Sequence, residues 1–203
     1  MTEKDKRQEI VETAAGVFLR HGYRKTTLDD IAEAAHLQKS SLYHYFSNKD
    51  ELFREIVKYI HGQLYDTLSA SMPGTGTLRD EIETYLDVLS KEIERLHPHK
   101  ELFLEEVGLL LPIAQDLIIT FEASLRHLLE KRIAAAVTKG ELSASCPVKE
   151  LTTVISYFLE RVFKAREFSE HYAIAADNAL HYVLTLFEPY FTSSSLSNEA
   201  RSS

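Results

Sequence analysis

The sequence is poor in residues that cross-link or interrupt a fold, with one cysteine, five prolines and seven glycines in 203 residues, and no tryptophan. The single cysteine, Cys146, excludes an intramolecular disulfide and a zinc site built from thiolates. Long apolar runs are also missing, because the best candidate, 107–114, is short and is interrupted by Pro112. The N-terminus, MTEKDKRQEI, has no signal-peptide core, so we expect a soluble cytoplasmic protein with no membrane contact.

Positive charge is scarce as well, since the formal net charge is −8, from 23 basic and 31 acidic residues. The deficit is uneven: residues 1–50 contain 8 basic and 8 acidic residues, and the rest of the chain carries the whole excess of acid. An acidic protein is on average a poor ligand for nucleic acid. The first fifty residues can still bind a polyanion, provided that their basic side chains share one face.

Apolar residues recur at helical spacing along nearly the whole chain. The clearest stripe, at a strict interval of four, consists of Leu52, Ile56, Ile60, Leu64 and Leu68. No segment alternates between apolar and polar residues beside a hairpin turn signal, so the predicted fold is all-α. The serine-rich stretch 192–203 has no periodicity and is predicted to be a disordered tail.

The first fifty residues predict three short helices, at about 5–21, 28–35 and 39–45. The second and third are joined by only three residues, which is typical of a helix-turn-helix. In the third helix, Leu42 and the following Phe46 are expected to face the core, leaving four polar residues outward: Lys39, Ser40, Tyr43 and His44. Their side chains can bind phosphates or base edges. A helical subdomain with an ordinary polar surface is the alternative.

A pattern of residues extends over about 45 positions of this region. It consists of Ile10-Val-Glu-Thr-Ala-Ala15, Phe18, Gly22-Tyr23, Thr26-Thr27, Ile31-Ala32, Ala35, Leu42-Tyr43, Tyr45-Phe46 and Lys49-Asp-Glu-Leu52. The stretch resembles the N-terminal DNA-binding domain of the TetR family of bacterial transcriptional regulators. The remaining three quarters of the chain match that family only as an all-helical domain of about the right length.

Two positions depart from the family pattern. His36 stands where the family usually has glycine, at a position that favours a left-handed backbone, which histidine tolerates better than most residues. Gln38 stands where the family usually has a serine or threonine that caps the reading helix, so we expect a weaker cap.

The resemblance implies a set of DNA contacts. Thr27 would cap the second helix and touch a phosphate, and Lys39, Ser40 and Ser41 would approach base edges. Tyr43 and Lys49 would bind backbone phosphates. His44 and Tyr45 could do either, although Tyr45 could equally pack beneath the reading helix.

The resemblance also implies three regions: a DNA-binding domain at 1–48, a ligand-binding and dimerisation domain at 49–191, and the tail. The protein would be a homodimeric repressor, bound to a palindromic operator in double-stranded DNA and released by a small hydrophobic inducer. Candidate inducer contacts, which could equally be core residues, are Tyr65, Tyr85, Phe103, Leu110, Phe121 and Leu125.

The last two helices are the candidate dimer interface, because the apolar stripe beginning at Leu151 is wide for a helix with one neighbour. The residues predicted to form it are Leu151, Ile155, Phe158, Val162, Leu180, Leu184 and Phe187.

Enzyme and metal chemistry find little support in the sequence. The single Glu-x-x-His, at Glu94 and His97, falls short of the pair that a di-iron bundle needs. Gly74 and Gly76 follow no strand and do not form a phosphate loop. Cys146 could be a reactive thiol at a helix start or an ordinary loop residue. We therefore expect no enzyme, cofactor or metal, and a helical adaptor remains as an alternative to a regulator.

Overall fold

The computed structural model of the chain describes residues 2–96, 100–165 and 178–192. These residues form eight α-helices, which confirms the all-α class. The helices are α1 Glu3–His21, α2 Leu28–Ala34, α3 Lys39–Tyr45, α4 Lys49–Ala70, α5 Leu78–Leu96, α6 Lys100–Lys139, α7 Val148–Ala165 and α8 Ala179–Phe187. None of the described helices combines the length and apolar character needed to cross a bilayer. His97 and nearly all of the predicted tail, 193–203, lie outside the described residues.

The first two helices begin at capping boxes. The Thr2 hydroxyl accepts a hydrogen bond from the Asp5 backbone amide, and the Asp5 carboxylate accepts one in return from the Thr2 amide. Thr27 and Asp30 make the same reciprocal pair at the start of α2. Each box satisfies two amides that have no partner within the helix, so these sequences fix where α1 and α2 begin.

The chain divides into two compact units. The first consists of Met1–Leu64 with Glu94–Phe121, and the second of Tyr65–Ile93 with Glu122–Ser203. The division falls within helices and away from the predicted boundary at 48/49. The first turns of α4 belong to the first unit because Leu52 and Ile56 are buried in its apolar core.

The core of the first unit joins α1, α2, α3 and the start of α4. Its members are Ile10, Val11, Ala14, Ala15, Val17, Phe18, Tyr23, Leu28, Ile31, Ala32, Leu42, Phe46, Leu52 and Ile56. Phe18, Tyr23 and Phe53 form an aromatic triangle with ring centroids 5.2 to 6.0 Å apart. Because every helix contributes to one cluster, none can shift without opening the others.

Two arginines add polar ties around α4. The Arg7 guanidinium donates to Glu55 at 2.8 Å and lies 4.6 Å from the centroid of the Phe46 ring. Arg54 donates to both carboxylate oxygens of Asp116, at 2.7 and 2.6 Å, and to the Ile113 carbonyl at 2.6 Å. The Arg54 hydrogen bonds lower the pKa of Asp116 to about 2. Within the first unit, α4 is thereby linked to α1 and α6.

Pro112 lies inside α6 and does not interrupt it. Proline removes one intrahelical hydrogen bond and usually kinks or ends a helix. Here tertiary contacts stabilise the turn of α6 around the proline, because Leu110 and Ile113 pack on the core of the first unit and Ala114 is buried. Tertiary packing overrides the local cost of the proline.

A buried ion pair holds together the second unit. Arg132 of α6 is paired with Glu81 of α5, and both side chains are about 5% exposed or less. Arg132 also donates to the Gly76 carbonyl at 3.1 Å, while the Glu81 carboxylate accepts from the Gly76 amide at 2.9 Å. Glu141 contributes a further carboxylate oxygen, 3.4 Å from the guanidinium. The network fixes the loop before α5 against the end of α6.

Replacing Glu81 with alanine should lower the free energy of unfolding by about 3–5 kcal/mol, because it leaves the Arg132 charge buried with too few partners. Lys91→Ala is the control, since the Lys91–Asp87 pair is exposed and adds little to stability. Urea denaturation of both variants measures the difference. Equal stability of the two would show that the buried pair does not stabilise the fold.

Candidate nucleic-acid interface

A tight turn between α2 and α3 sets the orientation of α3. The amide of Leu37 donates to the Ala32 carbonyl at 2.8 Å, and the amide of His36 donates to the Glu33 carbonyl at 3.0 Å. His36 has a φ of 54°, the left-handed conformation expected at this position. Four residues, 35–38, separate the end of α2 from the start of α3, which is helix-turn-helix geometry.

The predicted orientation of α3 is confirmed. Leu42 and the adjoining Phe46 are completely buried in the core of the first unit. The four polar residues expected outward, Lys39, Ser40, Tyr43 and His44, are all exposed. One side of the short helix therefore supplies an ammonium, a hydroxyl, a phenol and an imidazole to the solvent.

Two other predicted contact residues on α3 are less accessible. Ser41 is only partly buried, and Tyr45 is partly buried with its ring packed against the core of the first unit. Tyr45 therefore packs beneath α3, which was the alternative to a DNA contact, and part of its surface remains exposed to solvent. Gln38 makes no side-chain hydrogen bond to cap α3, as the sequence predicted.

Thr27 is exposed at the start of α2, where its hydroxyl is part of the capping box with Asp30. The backbone and hydroxyl of Thr27 donate to the Asp30 carboxylate, which lowers the pKa of that carboxyl. The box holds the Thr27 side chain in a fixed position at the start of α2.

Lys39 is paired with a residue that the sequence did not single out. Its ammonium lies 2.8 Å from Asp29 Oδ2 in α2 and 6.0 Å from the centroid of the Tyr43 ring. The hydrogen bond that the Lys39 ammonium donates to the Asp29 carboxylate raises the pKa of Lys39. The two residues are ten positions apart, and only the fold of the turn brings them together. At the other end of α3, His44 Nε2 lies 3.6 Å from Glu3 Oε1.

Lys49 occupies a different environment from Lys39. Its ammonium donates to the carbonyls of Tyr23 and Thr26, at 2.9 and 3.1 Å, and lies 4.1 Å from the centroid of the Tyr23 ring. Tyr23 in turn donates through its hydroxyl to Asp50. Lys49 therefore joins the start of α4 to the turn after α1. The two carbonyls engage two of the three N–H donors of the ammonium. The predicted contact between Lys49 and a DNA phosphate would therefore have to use the third.

The predicted inducer residues do not gather at one place. Leu110 packs on the core of the first unit, and Phe121 stacks on His61 with ring centroids 4.3 Å apart. Burial lowers the pKa of His61 to about 4. Tyr85 lies in the core of the second unit, Tyr65 and Leu125 are partly buried, and the side chain of Phe103 lies outside the described residues.

An apolar cavity in the second unit contains one of these residues, Tyr85. Its volume is about 10 Å³, close to the space of a single water molecule. The walls are Met72, Ile82, Tyr85, Leu86, Leu129, Ile133, Ile155, Leu159, Val183 and Phe187. A drug-sized ligand needs several hundred Å³, so this cavity would have to open to admit one.

The prediction of dimer contacts was wrong for three residues. Leu151, Ile155 and Phe187 are buried within the protomer, because α7 and α8 pack them into the core of the second unit. Phe158 and Leu184 are partly buried, and the side chains of Val162 and Leu180 lie outside the described residues. Among the side chains of the two helices that the structure describes, the exposed large apolar ones are Val154, Tyr157 and Tyr182.

The structure also bears on the cysteine and metal candidates within the residues that it describes. Cys146 is buried, and burial raises the pKa of its thiol, which disfavours the reactive thiolate. Among the described residues, no three His, Cys, Asp or Glu side chains converge as metal ligands would.

Comparison with known proteins supports the interpretation of α2 and α3 as a helix-turn-helix of a DNA-binding domain. The model of the bacterial regulatory proteins of the tetR family matches residues 10–56. An Escherichia coli K12 protein described as the probable acrEF/envCD operon repressor is 50% identical over 50 residues, which are 25% of this chain and 23% of that repressor. The similarity therefore spans about a quarter of the length of that relative.

Solved structures extend the likeness to the whole fold. A TetR-family regulator from Mesorhizobium loti MAFF303099 superposes with a TM-score of 0.77 at 16% identity, covering 95% of this chain and 100% of the other. SmeT in complex with triclosan superposes with a TM-score of 0.63 at 17% identity, covering 93% of each chain. At these identities the likeness establishes the fold.

The two lysines should differ in their effect on stability. Lys49→Ala removes charged hydrogen bonds to two backbone carbonyls and should lower the free energy of unfolding by about 1.5–3 kcal/mol. Lys39→Ala removes an exposed ion pair and a distant contact with the Tyr43 ring, and should leave stability nearly unchanged. Thermal and urea unfolding of the two variants tests this. A Lys49→Ala protein as stable as wild type would show that its contacts are not held in solution.

Proposed function

We propose that the chain is a TetR-family regulator, a homodimeric repressor of transcription in the cytoplasm, because residues 10–56 match the model of that family. It binds a palindromic operator through α3, and a small hydrophobic inducer releases it. The observation that carries the proposal is the exposed polar face of α3, held in place by the fully buried Leu42 and Phe46. The protein acts by binding and not as an enzyme.

The charge distribution fits this mode of binding. The first fifty residues are neutral, and the excess of acid lies in the rest of the chain. Binding that depended on bulk positive charge would require a basic surface. Here a small number of directed contacts must supply the affinity, with Thr27 and Tyr43 at phosphates and Lys39 and Ser40 at base edges.

A binding titration with duplex DNA tests the proposal. The protein should retard a random duplex at low salt, and the affinity should fall as salt rises because bound counterions are released. No retardation at low salt, with the protein folded and at micromolar concentration, would reject the DNA-binding function.

The inducer is proposed to enter the apolar interior of the second unit, at the cavity beside Tyr85. The walls of this cavity are entirely apolar apart from the phenol of Tyr85, which favours a hydrophobic ligand. The fold it shares with SmeT, a protein captured with triclosan, supports the same class of molecule. For release, the inducer must bind the DNA-incompetent conformation better than the competent one.

Within the first unit, the bidentate pair of Arg54 and Asp116 is proposed to hold α4 in its DNA-competent position. Leu52 of α4 is buried in the same apolar core as Leu42 of α3. A displacement of α4 would therefore move α3. In a dimer, such a displacement would change the spacing of the two reading helices relative to successive major grooves.

The dimer interface is proposed to be the exposed apolar face of α7 and α8. Val154, Tyr157 and Phe158 share one side of α7, and Phe158 makes an edge-on ring contact with Tyr182 at 6.0 Å. Two such helices from each subunit would form a four-helix bundle around these side chains. The face replaces the buried residues that the sequence had suggested.

Lys39→Ala should relax sequence preference. The loss of a lysine contact to guanine should weaken binding to a selected site by roughly 10- to 100-fold per half-site, and weaken binding to random DNA much less. Lys25→Ala is the control, since it removes the same charge from an exposed turn outside α3. Fluorescence anisotropy on both duplexes measures the ratio. Equal losses on the two duplexes for Lys39→Ala would assign Lys39 to a phosphate.

Val154→Glu should convert the dimer to a monomer, because it places a charge in the centre of the proposed apolar interface. Ile119→Glu is the matched control, since Ile119 is a similarly exposed β-branched residue on α6. Sedimentation velocity at micromolar concentration should show wild type and Ile119→Glu as dimers. A monomeric wild type, or a dimeric Val154→Glu, would contradict the proposed interface.

A further inference from the structure

The only lysine of α3 is held by a carboxylate of the preceding helix. Lys39 Nζ lies 2.8 Å from Asp29 Oδ2. Asp29 belongs to the first turn of α2, whose start is fixed by the capping box of Thr27 and Asp30. The carboxylate is therefore attached to a rigid element, whereas a lysine side chain has four rotatable carbons and many rotamers.

We propose that Asp29 is a specificity-determining positioning residue, which holds the Lys39 ammonium at the start of α3 so that it contacts a base edge and not the nearest phosphate. The inference rests on the proposed DNA-binding function and goes beyond it by assigning a role to an acidic residue beside the reading helix.

The Lys39 ammonium can bind Asp29 and a DNA base at the same time. An ammonium has three N–H donors, of which Asp29 engages one. Two donors remain for the O6 and N7 acceptors that guanine presents in the major groove. Because Asp29 has already ordered the side chain, less conformational entropy is lost when Lys39 binds a base.

The same pair weakens binding to random sequence. A lysine that is neutralised by a nearby carboxylate releases little counterion when it approaches a phosphate, so it adds little to non-specific affinity. Asp29 is thus expected to raise affinity for the selected site and to lower affinity for other DNA. Simple repulsion between an acidic residue and DNA would lower both.

The structure provides a matched control for the repulsion. Glu33 is an exposed carboxylate on the same helix as Asp29, and the ion pair of Lys39 is made with Asp29. Glu33→Gln removes one negative charge from α2 and leaves that pair intact. Both side chains of the pair are 58% exposed, so Asp29→Asn should not disturb the fold.

The experiment compares full-length wild type, Asp29→Asn and Glu33→Gln. Each is titrated with a duplex that wild type selects from a random pool and with a scrambled duplex of equal length, over a series of salt concentrations. Asp29→Asn should lose affinity for the selected duplex by roughly 2- to 10-fold per subunit, the value of ordering one long side chain. On the scrambled duplex it should gain affinity, with a salt dependence steeper by about 0.9 per subunit.

Glu33→Gln should gain slightly on both duplexes. In a Lys39→Ala background, Asp29→Asn should behave as Glu33→Gln does, because the positioned group is gone. Asp29→Glu, which keeps the carboxylate, should remain closer to wild type than Asp29→Asn. Asp29→Asn matching Glu33→Gln in the presence of Lys39 would overturn the inference alone. A wild type that binds neither duplex at low salt would overturn the proposed function as well.

Discussion

The burial of Leu42 and Phe46 in the apolar cluster of the first unit is the contact on which the reading surface depends. The α3 helix has only seven residues and no side-chain cap, so it is too short to be stable by itself. Its conformation and its orientation both come from packing against α1, α2 and the first turns of α4. The outward direction of Lys39, Ser40, Tyr43 and His44 follows from the two side chains that point inward.

The chain has fewer basic than acidic residues. The local contacts of each lysine therefore determine whether it stabilises the fold or is available to bind DNA. Lys49 donates to two backbone carbonyls and works as part of the fold, while Lys39 is held by Asp29 on the surface. Bulk charge would treat these residues alike. In a protein with a net charge of −8, local pairing distinguishes a structural cation from one available to a ligand.

The sequence was sufficient to predict the three N-terminal helices, because capping residues and apolar stripes define them locally. It was also sufficient to predict the left-handed backbone at His36. It could not reveal the partners of Lys39 and Lys49, since those contacts join residues far apart in the chain. The sequence also did not indicate that α6 would continue through Pro112, because that continuity depends on the packing of Leu110 and Ile113 on the core of the first unit. Leu151 and Ile155 were predicted to contact a second subunit but are buried within the protomer, because periodicity alone does not say whether an apolar stripe is covered by the same chain or by a second copy.

The most direct test of the central claim is the sequencing of duplexes that the protein retains from a random pool. A reading helix in each subunit of a symmetric dimer should enrich an inverted repeat, whose half-sites are centred about one helical turn, roughly 10 base pairs, or a multiple of it apart. Enrichment of such a repeat by wild type, and its loss with Lys39→Ala, is the result we expect. Retained duplexes that share no sequence would contradict specific recognition through α3.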